Sequence, residues 1–313
     1  MDLVVPRLPR RNVEVYNSEK AVIAGFWQYG TLQWDEFYRY LTTFIVTQTA
    51  WAIFQYDPTQ NQHGAQCHSG PEIVQPGEYI LLSDTGQRTR VGLEYLRSRP
   101  RHPTHSNTPA RESYYRIRGR ARDGKCLITG LQTQTYSRLQ VAHIFPRTHD
   151  VEWIDKGYPS KITDTADVGV LGGSSKIDSL QNLITLRSDL RDAWDNYEFG
   201  VDPDNNYRII SFTNGNADIN GLHLQLDHIH NPTQQPLREL FIDHLMQGLF
   251  KHMKGSAEPV WTYEDFDDAF DGGSINLSKL DIWGAGEGKE LFELALADRL
   301  HLTRMSQSVQ CVL

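Results

Sequence analysis

Two runs decide the fold. They are Leu139-Gln140-Val141-Ala142-His143-Ile144-Phe145-Pro146 and Ser179-Leu180-Gln181-Asn182-Leu183-Ile184-Thr185-Leu186-Arg187-Ser188-Asp189-Leu190-Arg191-Asp192-Ala193-Trp194-Asp195. The first reads as an apolar strand that ends in a histidine. In the second, an asparagine starts the next element and a polar residue, Arg191, follows nine positions later on an amphipathic helix. Between His143 and Asn182 lie 38 residues, including Trp153 and the run Gly169, Gly172, Gly173, Ser174, Ser175. A loop of that length inside a compact domain is more often functional than idle, and it is read here as a lid.

This layout resembles the HNH endonucleases, in particular the fungal type. Arg122-Asp123-Gly124-Lys125-Cys126-Leu127-Ile128-Thr129-Gly130 matches the R-D-G-x-C-x-x-T-G lead-in of that family, and the Pro236 helix with His244 and Glu258-Pro259 is similar to its tail. The likeness runs from about Arg116 to the C-terminus and is faint before that. It implies an α+β fold with a ββα-metal (HNH-like) core, carrying helical and strand extensions at both ends. It also implies that His143 is the general base, that Asn182 buttresses the site or ligates a divalent ion such as Mg2+ or Mn2+, and that the helix residue completes the ion's ligands.

The chain departs from the family at the ligand positions. The residue before His143 is Ala142, which has no donor atom, and the helix residue is Arg191, whose guanidinium cannot ligate an ion. A guanidinium about 4 Å from a divalent ion repels it by roughly 8 kcal/mol at an effective dielectric near 20. The first expectation is therefore a metal-free enzyme with no cofactor. His143, Asn182 and Arg191 would be its catalytic set, with Asp195, Trp194 and Trp153 in support. An Arg and a His that polarise a carbonyl or carboxylate suit a cyclase, isomerase or pericyclase of fungal secondary metabolism acting on a small molecule. The second is a DNA endonuclease in which Asn182, Asp192 and Asp195 hold Mg2+ or Mn2+, with Asp189 and His149 as other stand-ins. The third is a pseudonuclease that only binds. Against all three stands a plain structural reading, in which His143 is a satisfied core histidine and Arg191 pairs with Asp195 one helical turn on.

Composition narrows the field. With 313 residues, 39% hydrophobic and 22% charged, the chain has the profile of a globular protein with a sizeable core. Its net charge of −8 weighs against nucleic acid, yet residues 86–125 hold ten Arg and one Lys against three acids, which is +8 locally and leaves −16 elsewhere. The Arg-rich segment 88–122 could hold a phosphate backbone or be a salt-bridged helix, and the second reading is the commoner. Cys67, Cys126 and Cys311 form no C-x-x-C pair, so an intracellular, cytoplasmic location is expected. The most apolar window, Tyr40 to Phe54, is too short and polar to span a bilayer. Oligomeric state is left open.

Three regions are expected: 1–110, mixed helix and strand packed on the core; 111–255, the HNH-like core; and 256–313, an acidic segment and a helix. Residues 1–33 look like a leading arm. Trp34, Phe37, Tyr40, Leu41, Phe44, Ile45, Ala52 and Ile53 predict one long helix, and Gln55 to Pro76 a loop. Glu78 to Leu82 reads as a strand, Arg99 to Pro109 as a surface linker and Arg111 to Arg122 as a helix. Asp123-Gly124 and Thr129-Gly130 bracket a short hairpin strand. Strands are predicted over Tyr197 to Val201 and Tyr207 to Phe212, then helices from Pro236 to Lys254-Gly255 and from Glu287 to Thr303.

Overall fold

Alternation, not helical spacing, governs the start of the chain. A computed structural model describes residues 11–94, 98, 99, 109–257, 270, 271, 274 and 275. Residues up to Ala257 form one compact unit and Glu258–Leu313 a second. The expected leading arm contains two strands, β1 (Val13–Tyr16) and β2 (Val22–Phe26), paired antiparallel. Val13 and Val15 point inward and their neighbours outward, a period that four residues are too few to advertise.

The long helix predicted from Trp34 stops early. α1 spans only Trp34–Leu41 and buries Trp34, Phe37, Tyr40 and Leu41. The Thr42 and Thr43 hydroxyls then donate to the carbonyls of Arg39 and Tyr40, both at 2.7 Å. The β-branched residues that follow favour extended backbone, giving β3 (Ile45–Thr47) and then β4 (Trp51–Asp57). Spacing by threes and fours continued through this segment, but its β-branched residues decided the conformation. The expected loop after Gln55 likewise holds β5 (Gln62–Cys67), a polar edge strand, before β6 (Gly77–Ser83) and β7 (Val91–Leu93).

The main sheet runs β2-β1-β6-β4-β5, with β1 and β6 parallel, while β3 pairs with β7. One sheet face, through Val13, Val15, Ile53, Tyr79 and Leu81, shares a core with α1 and with Ile210, Phe212, Leu245 and Leu249 of the second half. Charge reinforces the seam. The Glu36 carboxylate accepts from Arg208 at 2.9 Å and from Asn205 at 2.5 Å, and the buried Asp202 accepts from Tyr40 at 2.9 Å and pairs with Arg39.

The second half begins with α2 (Pro109–Asp123), where the expected helix lies. Its approach to β8 (Leu139–His143) requires Gly119, since a Cβ there would sit 2.8 Å from Val141. The hairpin strand expected at Cys126 to Ile128 is instead a buried turn, in which the Gly130 N–H donates to the Cys126 carbonyl at 2.9 Å. The predicted lid is not one. It folds into the short helices α3 (Asp150–Asp155) and α4 (Tyr158–Lys161) and buries Trp153, Tyr158, Ile162, Leu171 and Ile177. Arg99, expected in a surface linker, is buried too. Its guanidinium lies 2.7 Å from Glu152 and 2.5 Å from Asp243 and stacks on Phe145 at 4.1 Å.

β9 (Leu183–Arg187) pairs antiparallel with β8, His143 facing Leu183, and α5 (Ser188–Asp195) follows at once and packs on both strands. β10 (Phe199–Asp202) and β11 (Arg208–Ser211) form a hairpin where strands are predicted. α6 (Arg238–Gly248) widens into a π turn over Leu249–Met253 and stops at Gly255, whose φ of 54° is the left-handed region. The protein is thus α+β, and no helix among the described residues is long and apolar enough to cross a membrane. In the second unit Phe270–Asp271 pairs antiparallel with Ser274–Ile275. The rest of the acidic stretch Glu264 to Asp271 and the predicted closing helix lie outside the described residues.

Candidate active site

His143 closes β8, and the chain turns sharply after it because Asn182 holds both sides of the turn. The Asn182 amide oxygen accepts from the Phe145 N–H at 2.8 Å, and its amide nitrogen donates to the carbonyls of Phe145 at 3.1 Å and Ile177 at 2.9 Å. The Asn182 carbonyl accepts from the Ile144 N–H at 2.9 Å. Asn182 is fully buried, so its amide is a structural clamp.

The same clamp delivers Asp178 to His143. Asp178 Oδ1 lies 3.0 Å from His143 Nε2 and 3.4 Å from Arg147 Nε. The Tyr115 ring from α2 lies against the imidazole, centroids 4.7 Å apart. From α5, the Trp194 indole N–H donates to the His143 carbonyl at 3.0 Å. Burial pushes the His143 pKa below its ordinary value, and the nearby positive charges of Arg147 and Arg191 act in the same direction, against the pull of Asp178. The imidazole is therefore neutral at pH 7.

Of the predicted residues, His143, Asn182, Trp194 and Arg191 converge here. Arg191 pairs with Asp195, as the plain structural reading has it, while its charge still reaches His143. Trp153 stands apart, donating to the Ser175 carbonyl at 2.7 Å and packing behind Phe145 at 5.4 Å. Asp192 is exposed on α5. Asp178, Arg147 and Tyr115 were not singled out from sequence, because an acid in a long loop and an aromatic on a preceding helix follow no spacing rule. Three arginines of α2 turn inward: Arg118 binds Asp164 at 2.8 Å, Arg120 donates to the Leu139 carbonyl at 2.9 Å and Arg122 binds Asp123 at 2.6 Å.

A second buried histidine sets the contrast. His244 stacks on Trp194 at 3.5 Å, and its Nε2 lies 3.1 Å from the Trp194 carbonyl, while Nδ1 is sealed with no partner. Among the described residues His143 Nδ1 has no hydrogen-bond partner, and the side chain is 8% exposed. Burial pushes the His244 pKa from 6.5 down to about 3. Unfolding releases that restraint, so the unfolded chain binds the extra proton between these values and stability, complete above about pH 6.5, falls on acidification by up to about 1.4 kcal/mol per pH unit. His244→Phe, which keeps the stack, is expected to reduce this slope in urea unfolding between about pH 6.5 and 4.

The donors at the family's ion positions do not fit a divalent cation. Ala142 offers a methyl group, Asn182 has its amide committed to the backbone and Arg191 brings a positive charge. A cavity of about 20 Å3 between Gln28, Tyr29, Arg208, Ser211 and Asn220 has room for one water, and neither His143 nor Arg191 lines it.

Residues 126–202, from the buried turn through β10, match the family described as HNH endonuclease. That segment is HNH-like. No curated protein and no solved structure matches the chain.

Proposed function

We propose that the chain is a metal-free enzyme built on a degenerate ββα-metal core, acting on a small organic substrate that bears a carbonyl or carboxylate. His143 is its base, Arg191 the cation that polarises the substrate oxygen, and Asn182 the clamp that fixes both sides of the turn. The observation that carries this reading is a His143 Nδ1 with no hydrogen-bond partner among the described residues beside the positive charge of Arg191, at the position where the family places an ion ligand. A neutral base beside a fixed cation favours removal of a proton next to a carbonyl, or a rearrangement in which negative charge grows on oxygen. Cyclisation, isomerisation and pericyclic reactions of the kind used in secondary metabolism have that demand.

The test screens carbonyl and carboxylate compounds by ligand-observed NMR. Ligands are expected to be lost on Arg191→Leu, and bound but not converted by His143→Ala. Ligands indifferent to both substitutions would sink the proposal. The metal side is tested separately by Mn2+ titration. Arg191→His removes the cation and adds an imidazole donor, and is expected to raise Mn2+ affinity at least about tenfold over the wild type, some 1.4 kcal/mol.

The alternative reading is a DNA endonuclease using Mg2+ or Mn2+, favoured by the match over residues 126–202. It requires Asp192 or Asp195 to replace the missing donors and Arg191 to leave the site. Tight Mn2+ binding by the wild type, lost on Asp195→Asn, would favour it.

A further inference from the structure

We infer that Asp178, held by Arg147, is the positioning residue of His143, fixing the Nε2–H tautomer so that Nδ1 is the atom that takes the substrate proton. The inference rests on the reading of His143 as the base. An ionised carboxylate can only accept hydrogen bonds, so at 3.0 Å from Asp178 Oδ1 the Nε2 atom must carry the hydrogen. The neutral ring then has its lone pair on Nδ1, the nitrogen with no hydrogen-bond partner among the described residues.

Every charged or aromatic group that faces the ring fits this role. Arg147 Nε lies 3.4 Å from the same carboxylate oxygen and favours its ionised form. Tyr115, with its centroid 4.7 Å from that of the imidazole, limits how far the ring can turn. Arg191 lies on the α5 side and, with burial, keeps the resting ring neutral. When a substrate C–H or O–H proton moves to Nδ1, the bonding pair stays on the substrate. The imidazolium keeps its Nε2–H on Asp178, and the same proton returns to the product. The carboxylate thus stabilises the new cation as it forms. His244 cannot act this way, because its Nδ1 is sealed.

Long-range 1H–15N spectra of the full chain at neutral pH test this without a substrate. The wild type is expected to show His143 protonated at Nε2 and bare at Nδ1; the opposite tautomer would overturn the inference. In Asp178→Asn the amide can turn its NH2 toward Nε2, and the population is expected to shift to the Nδ1–H form with far-ultraviolet circular dichroism unchanged. An unshifted population would also overturn it. If Asp178→Asn fails to fold, the wild-type spectrum still decides. The outcome separates the two claims: the expected tautomers together with ligands still converted by His143→Ala would leave the positioning intact and remove the base.

Discussion

Arg122→Ala is expected to cost about 5 kcal/mol of stability, enough to unfold many domains of this size, as read by urea denaturation. The guanidinium is 3% exposed and makes five hydrogen bonds, three of which tie the end of α2 to other segments. Two run to Asp123, at 2.6 and 3.0 Å, and three to the carbonyls of Leu180 at 2.5 Å, Gln234 at 2.9 Å and Leu183 at 2.6 Å. Truncation would leave a fully buried carboxylate uncompensated, and that carboxylate also accepts the Thr185 N–H of β9 at 2.8 Å. Breaking one side of a buried pair typically costs about 3–5 kcal/mol, and the orphaned carbonyls add to it. Arg122→Lys keeps the charge but not the planar fork, and should recover less than half of the loss. A loss below about 2 kcal/mol for Arg122→Ala would mean that the hub is not the joint described here.

Asn182→Ala is the second large effect, about 4 kcal/mol in the same measurement. It removes three buried hydrogen bonds and leaves the Phe145 N–H and the Phe145 and Ile177 carbonyls without those partners, each costing about 1–3 kcal/mol less any relaxation. Asn182→Asp should be nearly as damaging, since a carboxylate can accept from Phe145 N–H but would repel two carbonyls. If Asn182 were instead a spare metal ligand, alanine would change stability little without metal.

The strand pair and helix around His143 were legible because their signals are local: an apolar run ending in a histidine, an asparagine at the next start, an amphipathic turn beyond. The helix of α2 followed from the same kind of signal, while the α+β class was implied by the resemblance to the HNH endonucleases. The N-terminal sheet was not legible. β1 and β2 are four and five residues long and are joined by a turn that Asn17 and Lys20 make, and β4 lies inside a spacing that mimics a helix. What separated strand from helix there was the cluster of Thr, Ile and Val after Leu41, a weaker signal than periodicity until a sheet exists to receive it. At the site, it is the plain structural reading that pairs Arg191 with Asp195 one turn on, and that pair is present. Asp178 was not seen, since it reaches His143 only because the 38-residue stretch folds on Trp153 and Asn182 clamps its end. That stretch, where a lid was one expectation, is the scaffold that brings this carboxylate to His143.

Plasmid nicking by the full chain in Mg2+ or Mn2+, beside His143→Ala, tests the metal-free account most directly. The account predicts that supercoiled plasmid survives both proteins equally, because Arg191 and the committed Asn182 amide leave no seat for the ion. Nicking by the wild type that requires the metal and disappears in His143→Ala would contradict it.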